Sequence, residues 1–485
     1  MTDEPTPPTL NKLPSGIPDF DFIAQGGLPE NRVTLLAGSV GSGKTVFGCQ
    51  FLEAGVRDKN EGAVFVTFEE SPQKIRQNMA GLGIDIPARE RQGAWAFVDM
   101  TSTEALGEVQ GTFDLGAFLP RIEYAIRKSD AKRMVVDSLG AIYAQFAHVR
   151  SVRQALHNFI TTVGRLGVTV LLTAERQEEH GSVTLLGVEE FPVDAVLVLR
   201  HAPEAGRRRR TVEILKMRGA AHHSGEFPFS VTAESRGITV VPLPAIELNQ
   251  PTSSTRLSMG MEDLDTMFGG GIFKSSIMLV GGPTGTGKTL FSTHFLTADP
   301  DERAMLFAFE EGRDQLARNA KGWNLPLAGG LERGTLRIEA CYPETATLET
   351  HLVRIKALLE QHRPSRVVFD SIAALARGNT SHAMRQFLVA LVASCREQQI
   401  TALLVANTRD LTGGGLVSES DIFSMTDVIV LLRYFEVAGE LRHGLRVLKM
   451  RGSEKERFMR EYRITGQGLE LGDIVRDSDE NTFLP

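Results

Sequence analysis

Residues 38–45 of the chain read Gly-Ser-Val-Gly-Ser-Gly-Lys-Thr, and residues 282–289 read Gly-Pro-Thr-Gly-Thr-Gly-Lys-Thr. Each stretch follows an apolar run that predicts a strand and precedes a stretch that predicts a helix. In this context the glycines let backbone N–H groups wrap around phosphates, the lysine reaches the β- and γ-phosphates, and the threonine hydroxyl ligates Mg²⁺. The predicted nucleotide-binding residues are Gly41, Ser42, Gly43, Lys44 and Thr45, and Thr284, Gly285, Thr286, Gly287, Lys288 and Thr289.

Three further motifs occur twice in the chain. Ala-Val-Phe-Val-Thr-Phe-Glu-Glu at 63–70 corresponds to Ala-Met-Leu-Phe-Ala-Phe-Glu-Glu at 304–311. Arg-Met-Val-Val-Asp-Ser at 133–138 corresponds to Arg-Val-Val-Phe-Asp-Ser at 366–371, and Lys-Met-Arg-Gly at 216–219 recurs at 449–452. A repeat of this length predicts two tandem domains of similar fold.

Short strand patterns alternate with helix patterns such as residues 119–128, 152–165 and 348–361. This alternation predicts an α/β fold in which each domain is a largely parallel sheet flanked by helices. We expect a first domain at residues 10–246, a linker rich in Pro, Ser and Thr at 247–258, a second domain at 259–472 and a short acidic tail at 473–485.

Composition narrows the class of protein. The net charge of −7 gives no general attraction to nucleic acid or to membranes. The N-terminus lacks the pattern of a signal peptide, and no run of 18 apolar residues occurs. Three widely spaced cysteines predict neither a disulfide framework nor a zinc site. We therefore expect a cytoplasmic protein.

Acidic residues follow two strand patterns in each half. Asp137 and Asp370 end apolar runs, where a carboxylate can hold Mg²⁺ beside the threonine of the phosphate-binding loop. A turn or helix cap is the alternative interpretation. The pairs Glu69–Glu70 and Glu310–Glu311 lie where one carboxylate of each pair can orient or deprotonate a nucleophile. For these pairs the alternative is a solvated acidic turn.

Cationic pairs recur as well. Lys216 and Arg218, like Lys449 and Arg451, are two residues apart at a predicted strand end and so lie on one face. They suit stabilisation of phosphate charge across a subunit boundary, although solvated edge charges are the alternative. The run Arg207–Arg210 predicts a hairpin or an interface turn rather than a nucleic-acid contact.

The duplicated motifs resemble those of the KaiC family, the hexameric double-domain ATPases and autokinases of bacterial clock systems within the RecA/DnaB superfamily. The resemblance covers nearly the whole chain, from about Pro14 to Asp473. It implies RecA-like domains, ATP and Mg²⁺ as cofactors, a homohexamer, and autokinase and autophosphatase activity in the second domain, within a clock or in timing and stress signalling.

The resemblance also implies roles for individual residues. Glu69 and Glu310 become the expected bases, while Lys216, Arg218, His222, Lys449 and Arg451 are expected to contact nucleotide held by a neighbouring subunit. The first half has about eight extra residues, assigned to the polar loop Thr101–Thr112. This loop matches the region where the family docks its partner KaiB.

Two departures from the family pattern concern phosphorylation. The family autophosphorylates adjacent Ser and Thr residues just before a Thr-Asp step, and here residues 422–427 read Ile-Phe-Ser-Met-Thr-Asp. Phe423 replaces the first hydroxyl, so Ser424 is the expected acceptor and Thr426 the alternative. Clock members also have a longer C-terminal tail that binds KaiA, whereas this sequence ends at Pro485, so we do not expect a KaiA-driven rhythm.

Two other classes of function use the same nucleotide chemistry. A RecA- or DnaB-like DNA motor requires basic or aromatic DNA-contacting loops, which the acidic net charge does not favour. A signalling scaffold that binds ATP only to assemble needs no catalytic carboxylates or cations, yet both halves retain them. Binding to nucleic acid or to a membrane is therefore not expected.

Overall fold

The computed structural model describes residues 10–101, 118–138, 140, 157–181, 192–204, 206–242, 253–407, 424–437, 439–475 and 482–483. The chain divides into two compact units, residues 1–242 and residues 243–485. Each unit has its own central sheet, and the α/β class predicted from the alternation of strands and helices is confirmed.

The first sheet has nine strands. From one edge to the other they are Trp95–Asp99, Gly62–Thr67, Ala131–Asp137, Thr169–Glu175, Val33–Gly38, Ala195–Glu204, Arg207–Met217, Glu226–Thr232 and Gly237–Val240. The first six are parallel, and the last three extend the sheet antiparallel. The strand that leads to the phosphate-binding loop therefore lies in the middle of the sheet.

The second sheet repeats this order. Its strands are Leu336–Ala340, Ala304–Ala308, Arg366–Asp370, Thr401–Ala406, Ile277–Gly281, Val428–Val437, Glu440–Met450, Arg460–Thr465 and Gly468–Ile474. The short strand Thr482–Phe483 also pairs with Val428–Val437. Two further strand pairs, one in each domain, lie outside the large sheets: Lys12–Leu13 with Leu28–Pro29, and Arg256–Leu257 with Ile272–Phe273.

Helices cover the sheets because the central strands are apolar on both sides. Leu35 packs into one buried cluster of the first domain and the adjacent Leu36 into another, as expected when alternate side chains point to opposite faces. The helices of the first domain are Phe20–Ile23, Lys44–Lys59, Pro72–Ala80, Ile86–Arg91, Leu119–Ser129 and residues 157–163. Those of the second are Glu262–Met267, Lys288–Thr297, Arg313–Gly322, Leu327–Arg333, Leu348–His362, Ile372–Ala376 and Ser381–Glu397, with a 3₁₀ turn at Pro343–Thr345.

The structure differs from the expected boundaries at two places. Residues 256–257, which fall within the predicted linker, form a strand, and the Arg256 guanidinium donates to the carbonyl of Phe268 at 2.9 Å. The packed part of the second domain therefore begins before residue 259. The last strand of the sheet runs to Ile474, beyond the predicted start of the tail, and Thr482–Phe483 within that tail pairs with the sheet.

Some predicted features lie outside the described residues. These are residues 102–112 of the polar loop, 152–156 of one predicted helix, 247–252 of the linker, and Phe423. In the part of the chain that the structure describes, no helix has both the length and the apolar character needed to span a membrane.

Candidate functional site

The first phosphate-binding loop joins the strand Val33–Gly38 to the helix Lys44–Lys59. Gly43, the last residue before the helix, has a φ of 104°, which residues with a Cβ rarely adopt. The Lys44 ammonium folds over the loop and donates to the carbonyls of Gly38 at 2.8 Å and Ser39 at 3.0 Å. Because charged phosphate oxygens are stronger acceptors than carbonyls, a bound phosphate would take over these hydrogen bonds.

Carboxylates surround the Lys44 ammonium. Burial lowers the pKa of Lys44, while the negative charges of Glu175, Asp137, Glu69 and Glu179 oppose this shift. These carboxylates favour the charged ammonium, which is the form that attracts a phosphate. The strands that carry or precede them end on the same side of the sheet as the loop, since Gly38 pairs with Glu175 and Thr67 with Asp137.

In the second loop the lysine makes the same hydrogen bonds as in the first, but tyrosine side chains also hold the loop backbone. The Lys288 ammonium donates to the carbonyls of the first two loop residues at 2.7 and 2.8 Å. In addition, the Tyr434 hydroxyl donates to the carbonyl of Thr284 at 3.3 Å, and the buried Tyr462 hydroxyl donates to that of Thr286 at 2.5 Å. Two tyrosines, one from the neighbouring strand Val428–Val437 and one from the antiparallel strand Arg460–Thr465, therefore fix the backbone of the second loop.

A hydroxyl and a carboxylate meet beside each loop. The Thr45 hydroxyl donates to Asp137 at 2.8 Å, and the Thr289 hydroxyl donates to Asp370 at 3.1 Å. These oxygen atoms fit Mg²⁺, which takes one or two protein oxygens and completes its shell with phosphate and water. Among the described residues no group of three or more His, Cys, Asp and Glu side chains could hold a metal by itself.

The surroundings of the Asp370 carboxyl group favour its neutral form. Burial raises the pKa of Asp370 to about 6, the hydrogen bond from Thr289 lowers it, Glu311 and Glu310 raise it, and Lys288 lowers it. A divalent cation would remove the unfavourable burial of negative charge at this position.

Both glutamate pairs lie in bends, two residues beyond the ends of their strands. Because the pairs lie beyond the strands, the alternation of side chains along a strand does not decide which glutamate faces the nucleotide. Hydrogen bonds distinguish the two glutamates of each pair. The Ser138 hydroxyl donates to Glu69, and the Ser371 hydroxyl donates to Glu310 at 3.0 Å.

The second glutamate of each pair is placed differently. Glu311 accepts from the Asn319 amide at 3.3 Å, and burial together with the charge of Glu310 raises its pKa. Glu310 also forms an ion pair with the exposed Arg377 guanidinium. Glu70 is exposed, and its backbone carbonyl accepts from the Thr67 hydroxyl at 2.6 Å. In both domains the first glutamate is thus the one bound to the Asp–Ser motif.

The cationic pair of the first domain lies at the opposite edge of the sheet from the loop. Lys216 pairs with Val196, near the start of that neighbouring strand, and the Arg218 N–H donates to the carbonyl of Asp194 at 2.9 Å. The Asp194 N–H in turn donates to Val33, the first residue of the loop strand. At about 3.3 Å per residue, the five residues from Val33 to the end of that strand span roughly 16 Å. Neither cation can reach phosphates on its own loop.

The second domain repeats this placement and brings the expected acceptor to the same edge. The Lys449 ammonium donates to the carbonyl of Thr426 at 2.6 Å, and the Arg451 guanidinium donates to that of Ser424 at 2.9 Å. Ser424 is exposed, whereas Thr426 is fully buried. The structure therefore places Ser424, Lys449 and Arg451 together on the far side of the sheet from Lys288.

The remaining residues singled out from the sequence have simpler surroundings. His222 is half-buried, and its Nδ1 donates to the carbonyl of His223 at 3.2 Å. Residues 207–210 begin the second strand of a hairpin, in which Arg207 pairs with Glu204. The hairpin prediction is therefore confirmed, and Arg210 lies near the first loop, with a guanidinium nitrogen 3.5 Å from the Gly41 carbonyl.

Sequence comparison of the two halves missed three contacts of the second domain. Arg377 pairs with Glu310, but the seventh residue after Asp137 is Ala144, so the repeat gives no signal there. The first half likewise has no equivalent of Arg396, which pairs with Asp427 at 3.1 Å, or of Tyr434. Ser138 and Ser371 could have been found, because the serine follows the aspartate in both copies.

The two domains share one strand order. In each, a phosphate-binding loop, a hydroxyl–carboxylate pair and a glutamate lie at the same edge of the sheet. These features define a tandem P-loop protein with RecA-like α/β domains. The family model for the KaiC ATPase matches residues 13–245 and again residues 257–475. The chain therefore belongs to the KaiC ATPase family.

Curated relatives match along most of their length. The circadian clock protein KaiC3 of Synechocystis sp. is 45% identical over 96% of this chain and 93% of its own. The circadian clock oscillator protein KaiC of Thermostichus vulcanus is 44% identical, over 96% of this chain and 90% of its own. The KaiC oscillator protein of Prochlorococcus marinus is 42% identical over 96% and 93%, respectively. The resemblance stated from the motifs is confirmed.

Proposed function

We propose that this protein is a homohexameric ATPase whose second domain phosphorylates and dephosphorylates its own Ser424, as part of a bacterial timing system. The observation that carries the proposal is the position of Lys216, Arg218, Lys449 and Arg451 at the sheet edge opposite their own loops. Cations at that edge can stabilise phosphate charge only on nucleotide held by another copy. A closed ring of copies gives each loop one such neighbour.

The loops and their neighbouring oxygens would bind the cofactors. Lys44 and Lys288 would move from loop carbonyls to the phosphates of ATP, and the loop N–H groups would surround those phosphates. Thr45 with Asp137, and Thr289 with Asp370, would hold Mg²⁺. The bound cation neutralises charge on the β- and γ-phosphates, while the protein side chains orient the nucleotide.

Hydrolysis in the first domain would rely on Glu69. Its carboxylate is anchored by the Ser138 hydroxyl and lies on the same edge as Lys44. There it can accept a hydrogen bond from water and orient it toward the γ-phosphate. Arg218 of the next copy, with Lys216 and His222, would stabilise the charge that develops on the phosphate oxygens.

In the second domain the acceptor would be a serine instead of water. An oxygen–phosphorus bond forms between Ser424 and the γ-phosphate of ATP held by the adjacent copy. The bond from that phosphorus to the β–γ bridging oxygen breaks, and ADP leaves. Glu310 of the copy that holds the ATP accepts the serine proton. Ser424 is favoured over Thr426 because only Ser424 is exposed.

Timing as the biological context comes from the relatives, which are named circadian clock proteins. We extend this to the chain as a proposal, together with a KaiB-like partner at the first domain. The loop Thr101–Thr112 assigned to that partner lies outside the described residues apart from Thr101.

The test is incubation of the purified protein with Mg²⁺ and ATP, with phosphate release measured in parallel with phosphopeptide mass spectrometry. We expect phosphate on Ser424, lost in Glu310→Gln while phosphate release by the first domain continues. Glu311→Gln is the matched control and should retain labelling, because its side chain is held by Asn319 and not by the Asp–Ser motif. ATP hydrolysis without phosphate on Ser424 or Thr426 would reduce the protein to an ATPase without kinase activity.

A further inference from the structure

Three consecutive backbone carbonyls of the acceptor segment, residues 424–426, are each bound by a different cationic side chain. Arg451 donates to the carbonyl of Ser424 at 2.9 Å, Arg396 to that of Met425 at 3.0 Å, and Lys449 to that of Thr426 at 2.6 Å. Hydrogen bonds from charged donors are stronger than neutral ones. The backbone that follows the Ser424 side chain is therefore held in one position.

Like Arg451, whose guanidinium lies 3.7 Å from a carboxylate oxygen of Asp427, Arg396 has a second contact with that residue. The same Nη2 atom lies 3.3 and 3.1 Å from the two carboxylate oxygens of Asp427, immediately after the acceptor segment. The Asp427 carboxylate in turn accepts from the Ile277 N–H at 3.0 Å, at the start of the strand that leads to the second loop. Arg396 thus ties the acceptor segment to the central strand of its own sheet.

The first domain lacks this arrangement at the corresponding positions. Thr169 and Thr401 are equivalent, since each accepts a backbone N–H from the turn before its loop strand. Five residues before Thr401 stands Arg396, whereas five residues before Thr169 stands Gly164. Where the second domain has Ser424 and Thr426, three residues and one residue before Asp427, the corresponding positions before Asp194 are filled by Phe and Val.

Asp194 of the first domain still has a cationic partner, but from a different element. The Arg32 guanidinium, from the turn before the first loop strand, contacts Asp194 at 3.1 Å. The aspartate is therefore paired in both domains, and its partner in the second, Arg396, also binds the backbone of the segment that carries the hydroxyl groups.

We infer that Arg396 is a positioning residue for phosphoryl transfer, which holds Ser424 toward the adjacent nucleotide and keeps Thr426 buried. The inference rests on the proposed autophosphorylation of Ser424. The hydrogen bonds of Arg396 go to the Met425 carbonyl and to Asp427, and it acts through these groups. Displacement of a reacting group by about 1 Å can lower a rate by about a hundredfold, so loss of this support should slow transfer and relax the choice between the two hydroxyls.

The test follows phosphate on Ser424 and Thr426 over time, by phosphopeptide mass spectrometry after addition of Mg²⁺-ATP. In Arg396→Gln we expect Ser424 phosphorylation to slow by roughly tenfold or more, and the share of phosphate on Thr426 to rise. Arg396→Lys keeps a cation within reach of Asp427 and should restore most of the rate and the preference for Ser424. Arg32→Gln removes the ion pair to the equivalent aspartate of the first domain and should label Ser424 as the unsubstituted protein does.

The outcomes separate this inference from the function on which it rests. The ratio of Ser424 to Thr426 phosphate does not depend on the folded fraction, so a partly unfolded variant still gives an answer. An unchanged rate and ratio in Arg396→Gln, or equal defects in the Gln and Lys variants, would overturn the positioning role while leaving autophosphorylation intact. Absence of phosphate on the unsubstituted protein would overturn the proposed function and this inference together.

Discussion

Lowering the pH should reduce the stability of the second domain, because one buried histidine becomes protonated. His294, on the helix that follows the second loop, is 7% exposed, and its Nε2 accepts the Leu469 N–H at 3.1 Å. Gly468 permits this contact, since a Cβ there would lie 2.5 Å from the same nitrogen. Burial lowers the pKa of His294 from 6.5 to about 4. Protonation would place an N–H donor against the Leu469 donor and put a charge in the core.

The sign and size of this pH effect on stability follow from proton binding to His294 in the folded and unfolded states. Between pH 6.5 and 4 the unfolded chain binds a proton at His294 and the folded chain does not, so the free energy of unfolding falls as the pH falls. At about 1.4 kcal/mol per pKa unit, the full effect is about 3 kcal/mol. At pH 5 about 2 kcal/mol of it should already be lost.

The first domain supplies the matched substitution. Gln50 occupies the corresponding helix position, where its side chain accepts the Ile238 N–H at 2.6 Å and donates to the Ile238 carbonyl at 3.1 Å. A glutamine can therefore make this contact without titrating. We expect His294→Gln to be nearly as stable as the unsubstituted protein at pH 8 and more stable at pH 5.

Tryptophan fluorescence can report the second domain alone. The chain has two tryptophans, Trp95 in the first domain and Trp323 in the second. In a Trp95→Phe background, urea unfolding followed by Trp323 fluorescence at pH 8 and pH 5 measures the second domain. Asp370 shifts stability in the opposite direction, because its raised pKa favours the folded state as the pH falls, but it is present in both proteins and cancels. An identical pH dependence with and without His294 would refute the reasoning.

Three other predictions follow from the site and the core. Glu69→Gln should lower ATP turnover at least tenfold, about 1.4 kcal/mol of barrier, whereas Glu70→Gln should retain it; normal turnover in the first variant and loss in the second would reverse the assignment. Lys44→Ala should weaken ATP-dependent hexamer formation in light scattering more than Lys288→Ala, and a hexamer that forms equally without ATP would contradict this. Arg366→Met should cost about 3 kcal/mol of second-domain stability in the same urea assay, because it leaves a carboxylate partner unpaired in a largely buried site.

The fold and most of the candidate site could be predicted from the sequence, because their motifs occur once in each half of the chain. The loops placed Lys44 and Lys288, and the repeated Asp–Ser and Lys–Met–Arg motifs placed the residues around them. The order of the strands was not predictable, because pairing such as that of Val33–Gly38 with Ala195–Glu204 joins residues about 160 positions apart. The folding of Arg256 onto the second domain also depends on long-range contacts, with the Phe268 carbonyl and Ser453.

Arg377 and Arg396 could not be identified by comparing the two halves. That comparison finds residues that the two domains share, whereas these arginines stand where the first half has Ala144 and Gly164. Neither has a local pattern that marks it, since Arg396 reaches Asp427 across 31 residues of sequence. Their roles became visible only through contacts with Glu310 and the acceptor segment.

Several differences between the two domains lie where the chemistry after nucleotide binding would differ. Shared residues hold the phosphates and orient the first glutamate in both domains, so both sites suit ATP. Only the second domain adds an exposed hydroxyl at Ser424, an arginine on the glutamate that would accept its proton, and Arg396 behind the acceptor backbone. If a duplicated ATPase kept one copy for hydrolysis and adapted the other for transfer to itself, the second copy should differ from the first around the acceptor. The three differences around the acceptor are the ones that the proposed function requires, with hydrolysis in the first domain and phosphoryl transfer to Ser424 in the second.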